Sequence, residues 1–131
     1  MSKQLRFVQF VGLVAVLATL ATAFAQAGDA DAAVQKTFDK LLGAIKTGDR
    51  DAFVGNATDA VKKGMTQEVM DALKEKFGPR LDKGYKASYL CQLKQTGHQI
   101  YLWKMTFKDD GDDLVCRVVM KDGKVAGFFF Q

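Results

Sequence analysis

Four stretches of alternating apolar and polar residues follow one another between Tyr85 and Gln131, and nothing else in the 131-residue chain limits its fold as much. From Gln99 to Phe107 the large apolar residues Tyr101, Trp103, Met105 and Phe107 alternate with Lys104 and Thr106. That period of two is the signature of a strand with one buried face. The strand after it has Leu114, Cys116, Val118 and Met120 on the inner side, with Arg117 and Lys121 opposite. The strand before it has Tyr85, Ala87, Tyr89, Cys91 and Leu93 on the inner side. Asp122-Gly123 stands between the third and fourth patterns and predicts a two-residue hairpin that pairs Lys121 with Lys124. Val125, Gly127 and Phe129 then fall inside. Gly97 and the Asp109–Asp113 run supply the other two turns.

Matching the inner faces predicts one row of Tyr89, Trp103, Val118 and Gly127, and a second of Cys91, Tyr101, Met120 and Val125. Glycine within a strand marks a bend or a close approach, so Gly127 is expected to open space above the Trp103 ring. The outer face carries its own apolar row, Leu90, Leu102, Val119 and Ala126, bordered by Lys104, Arg117 and Phe128. Both faces therefore call for a cover.

Helical patterns precede the strands. Val34, Phe38, Leu41, Leu42 and Ile45 form a single stripe from about Asp31 to Thr47, which the sheet is expected to bury. Gly48 suits the left-handed helix end and Asp49 a cap for a second helix with Phe53 and Val54. Thr66 caps a third, expected from Gln67 to Phe77 with Gly78-Pro79 as its stop. The prediction is α+β: about three N-terminal helices on a curved, four-stranded antiparallel meander.

Residues 1–25 have the pattern of a signal peptide: Lys3 and Arg6, an apolar run from Phe7 to Leu20, then Ala23-Phe24-Ala25. The run is shorter than the roughly 20 residues that a membrane span needs. Cleavage near Ala25 predicts a periplasmic or secreted protein with one domain, residues 26–131. The formal charge of +4 includes Lys3 and Arg6, so the mature chain, with 17 basic and 15 acidic residues, carries +2. Its lysines are read as spread over several faces, which points away from nucleic acid and from a membrane once the signal is removed.

The stretch Phe38-Asp39-Lys40-Leu41-Leu42 through Thr47-Gly48-Asp49-Arg50-Asp51-Ala52-Phe53, the helix start Met65-Thr66-Gln67-Glu68, Phe77-Gly78, and the closing Asp122-Gly123-Lys124-Val125-Ala126-Gly127-Phe128-Phe129 resemble the nuclear-transport-factor-2-like, or cystatin-like, superfamily. The likeness is to its small uncharacterised exported bacterial domains, and covers nearly the whole mature chain. The resemblance implies a cone whose sheet wraps around the first helix, and frequent dimers through the sheet. It also implies pockets that hold small apolar ligands or, in some relatives, perform acid/base chemistry.

Such chemistry needs a carboxylate or histidine whose pKa burial shifts toward working pH. The inner positions here are Tyr85, Tyr89, Tyr101 and Trp103, without Asp, Glu or His, and His98 belongs to a turn. The expectation is a non-catalytic domain without metal or cofactor. Tyr89, Tyr101, Trp103, Val118 and Gly127 are its candidate pocket for an apolar ligand or peptide. The competing reading is that these aromatics fill the core. Leu90, Leu102, Val119 and Phe128 are candidates for an interface, including a homodimer. In the predicted registers Cys91 and Cys116 lie roughly 16 Å apart, beyond the about 7 Å that a disulfide spans. Either both are buried thiols or the registers differ.

Overall fold

The computed structural model describes residues 29–131; the signal-peptide reading of residues 1–25 lies outside them. Helix α1 spans Ala32–Thr47, opened by Asp31, whose carboxylate accepts from the Ala33 N–H. It closes at Gly48, whose φ of 74° places it in the left-handed region that glycine enters without strain. Its stripe of Val34, Phe38, Leu41, Leu42 and Ile45 is buried, as the sequence indicates. Asp49 caps α2, Arg50–Val54. Thr58 caps a further short helix, α3, Asp59–Gly64. The Arg50 guanidinium donates to the carbonyls of Lys62 and Met65, tying α2 to the end of α3.

Helix α4 starts at its Thr66 cap as expected but runs Gln67–Lys83, straight through Pro79. A proline inside a helix costs about 3 kcal/mol, so the expected stop at Gly78-Pro79 was locally sound. What carries the helix onward is tertiary. Leu81 is buried, Arg80 lies 3.8 Å above the Phe107 ring, and its guanidinium donates to the Asp109 carboxylate at 2.7 Å and to the Asp112 carbonyl.

Strands β1 (Tyr85–Gln95), β2 (His98–Phe107), β3 (Leu114–Lys121) and β4 (Lys124–Phe130) form one open antiparallel sheet in sequence order. The fold is α+β, with four helices rather than three. Thr96-Gly97 and Asp122-Gly123 both take positive φ in two-residue turns, and Lys121 pairs with Lys124 as predicted. Tyr89 pairs with Trp103, also as predicted. Met120 pairs with Val125, again as predicted, and elsewhere the rows differ from expectation for two reasons.

The first reason is a pair of bulges. Leu90 is an extra residue in β1, so Cys91 faces Leu102 and Leu93 faces Ile100. Ala126 is an extra residue in β4, so Val125 faces Met120 while Gly127 faces Val119. Each insertion turns the following side chains to the other face. Cys91, Leu93, Gly127 and Phe129 are therefore outside, and Phe128 and Phe130 inside. The second reason is the β2–β3 connection, which is longer than expected: Met105 pairs with Leu114 and Trp103 with Cys116, while Val118 sits opposite Tyr101. Arg80 fastens that acidic loop from α4, a contact the loop's own sequence does not announce.

The Arg80 hydrogen bonds and the Gly111 N–H hold the Asp109 carboxyl below the usual carboxylate range. Its stabilising contribution is thus complete above the ordinary aspartate pKa of about 4 and is lost as pH falls through the depressed native value. Asp109→Asn should melt below the parent at pH 7, and the gap should close as both are titrated to strong acid. A gap independent of pH would refute the clamp.

Cys116 is fully buried, and desolvation pushes its thiol pKa up; Cys91 is exposed beyond the β1 bulge, and both are free. The expectation of two buried thiols is corrected for Cys91. Ellman's reagent should titrate one thiol rapidly in the native protein and the second only in denaturant. Two fast thiols would mean that β3 is not covered.

Candidate functional site

Helix α1 lies on the inner face of the sheet and closes it over Trp103. The indole is 1% exposed and stacks on Phe38 with ring centroids 4.0 Å apart and planes at 7°. Tyr89 meets it edge-on at 5.6 Å and Tyr101 lies at 6.4 Å. Its Nε1–H donates to Gln35 Oε1 at 3.3 Å, and Gln35 in turn donates to Asp39. Phe38 thus occupies the space expected above Trp103. Gly127 does not open it: this residue is on the other face, where a Cβ would meet the Phe129 ring at 2.8 Å.

The opening lies at the turn end of the sheet. A cleft of about 520 Å³ runs between the start of α1 and the two hairpin turns. Val34, Tyr101 and Met120 give it an apolar floor, and Asp31, Asn56 and Gln99 a polar rim. The Tyr101 hydroxyl donates to Gln99 at 2.8 Å. Burial raises the Tyr101 pKa, and the nearby negative charge of Asp31 raises it further, so at neutral pH the phenol is a proton donor. Of the five pocket candidates, Tyr101 reaches this cleft. Tyr89, Trp103 and Val118 belong to the packed interior beside it. The rim residues escaped sequence reasoning because they come from separate segments, each polar and unremarkable in its own context.

The outer face differs from expectation in its members. Leu102 and Val119 are there, half-buried, and Leu90 is exposed at the bulge. Phe128 is not; its ring packs inward against Phe53 and Phe130. Phe129 takes the outer position instead, under Arg117, whose guanidinium carbon is 4.9 Å from the ring centre. Ile100 and Leu93, paired across β1 and β2, extend the row. No helix covers this face among the described residues.

Among the described residues no acid or histidine is buried, and no group of acids, histidines and cysteines is placed to hold a metal ion. His98 Nδ1 is 3.0 Å from the Thr96 carbonyl, within its own turn. Asp39 is exposed and bonded to Gln35.

The sequence matches no protein-family model and no curated protein. Among solved structures it is similar to an uncharacterised cystatin-fold protein from Novosphingobium aromaticivorans, at 15% identity over 73% of this chain and 95% of that one, with a TM-score of 0.42. A proposed polyketide cyclase from Sinorhizobium meliloti gives 18% identity, 76% and 98% coverage and a TM-score of 0.43. An NTF2-like protein of unknown function from Cytophaga hutchinsonii gives 9%, 82% and 94%, and 0.39.

Proposed function

We propose that this chain is an exported, non-catalytic binding module that takes a small amphipathic ligand in the cleft at the turn end of the sheet. The observation that carries this reading is the cleft's composition, an apolar floor around Tyr101 beneath a rim of hydrogen-bonding side chains. That arrangement suits a molecule with an apolar body and a polar end. Export rests on the signal pattern of residues 1–25. The non-catalytic reading rests on the want of a buried acid or base among the described residues.

Native mass spectrometry of the protein from the exported fraction tests both parts. The expected mass begins at Gln26 and carries a noncovalently bound small molecule, and Gln99→Trp, which fills the cleft, loses that molecule. A protein that is ligand-free under gentle conditions would overturn the binding reading, and an intact residue 1 would overturn export.

A second reading concerns the outer face. Leu90, Leu93 and Phe129 are 40–45% exposed around half-buried Leu102 and Val119. A contiguous apolar surface of that kind marks an interaction site.

A further inference from the structure

We infer that the outer face of the sheet docks a partner protein whose surface is apolar and acidic, an inference resting on the interaction reading of that face. Its basis is charge. The four strands contain no aspartate or glutamate; all 15 acidic residues of the chain lie in helices, turns or loops. The strands do contain six basic residues, and the register sends five of them outward: Lys86, Lys104, Arg117, Lys121 and Lys124. These cations stand among the exposed leucines and Phe129.

Arg117 is central to it. It sits in mid-strand between Leu102 and Phe129, forms no ion pair among the described residues, and its Nε is buried without a hydrogen-bond partner. A buried charged donor left unpaired is costly, so this atom is one the fold alone does not satisfy. Laid on an aromatic ring, the planar guanidinium keeps its fork free for a carboxylate.

A second copy of this chain is a poor occupant. A twofold contact would set this cationic face against a copy of itself, and among the described residues Lys104, 3.1 Å from Asp113, is the one of the five cations with a carboxylate partner; like charges in a contact repel. A lipid surface fits less well too. The apolar side chains here alternate with cations at strand spacing across a pleated sheet, rather than projecting from a loop or helix as an inserting wedge does. Side chains of another protein can follow that pleat.

The test uses a stapled amphipathic peptide with a leucine face flanked by glutamates, and its counterpart with lysines in their place, titrated against the intact protein by fluorescence anisotropy. The expected result is saturable binding of the glutamate peptide only, weakened by salt, at least about tenfold weaker for Arg117→Gln and lost for Leu102→Asp. Both variants should retain the parental melting profile. Equal binding of the lysine peptide, no binding of either, or an unchanged Arg117→Gln would overturn the inference. So would a dimer in light scattering that Leu102→Asp dissociates, or capture by phosphatidylglycerol vesicles without peptide binding. Neither variant touches the cleft, so loss of the peptide and loss of a copurified ligand report on separate sites.

Discussion

Trp103→Ala should lower the unfolding free energy by about 3–5 kcal/mol, the range for deleting a buried indole or phenyl ring. The site favours the upper part. The indole is 1% exposed on a central strand, so water leaves with it and a cavity remains between α1 and the sheet. Its partners are aromatic, and such pairs add about 0.5–1.5 kcal/mol each beyond buried area. Phe38, which stacks on it at 4.0 Å, would lose its one parallel ring contact among the described residues. A domain of this size holds about 5–15 kcal/mol in total, so the variant should be close to its folding limit. Urea unfolding followed by far-ultraviolet circular dichroism measures this, since Trp103 is the sole tryptophan and its fluorescence leaves with it. Trp103→Phe should lose much less, because a ring remains on Phe38 and what disappears is mainly the 3.3 Å hydrogen bond to Gln35. A loss below about 1 kcal/mol for the alanine variant would mean that α1 does not close on this ring.

Val118→Asp should leave the protein unfolded at neutral pH. Val118 is fully buried on the inner face of β3, opposite Tyr101 and Phe128, in a core without a buried polar residue among those described. An ionised carboxylate there has no partner, and the effective penalty is several kcal/mol. The variant's carboxyl would escape by protonating, which raises its native pKa above the ordinary value of about 4. The deficit against the parent is therefore smallest in acid and grows as pH rises from that ordinary value to the raised one. Circular dichroism between pH 4 and 8 should show structure recovered toward the acid end. Val119→Asp, one residue along and on the outer face, should fold at all these pH values. Equal damage from the two would mean that β3 has no preferred face.

The register behind those two predictions was partly legible beforehand. The alternation in β2 and β3, the stripe of α1, the caps Asp49 and Thr66 and the Asp122-Gly123 turn are signals within a few residues, and each appears where expected. The pairing of Tyr89 with Trp103 also follows from the pattern. A bulge is different. Leu90 and Ala126 are ordinary strand residues, and only the cross-strand ladder decides that either is extra. The same limit applies to the candidate site. Tyr101 could be named from its pattern, but the cleft exists because α1 begins where two hairpins turn, and the sequence does not measure that separation.

The sequence by itself determined the four strands and the three longer-patterned helices, the aromatic character of the inner face and the absence of acid from the strands, because periodicity and composition are local properties. Tertiary structure decided which end of the sheet is open, that Phe129 rather than Phe128 faces outward, and that α4 continues past Pro79. Those outcomes depend on contacts between distant segments, such as Arg80 with Asp109 and Phe38 with Trp103, whose combined gain exceeds the local preferences of about 3 kcal/mol or less that opposed them.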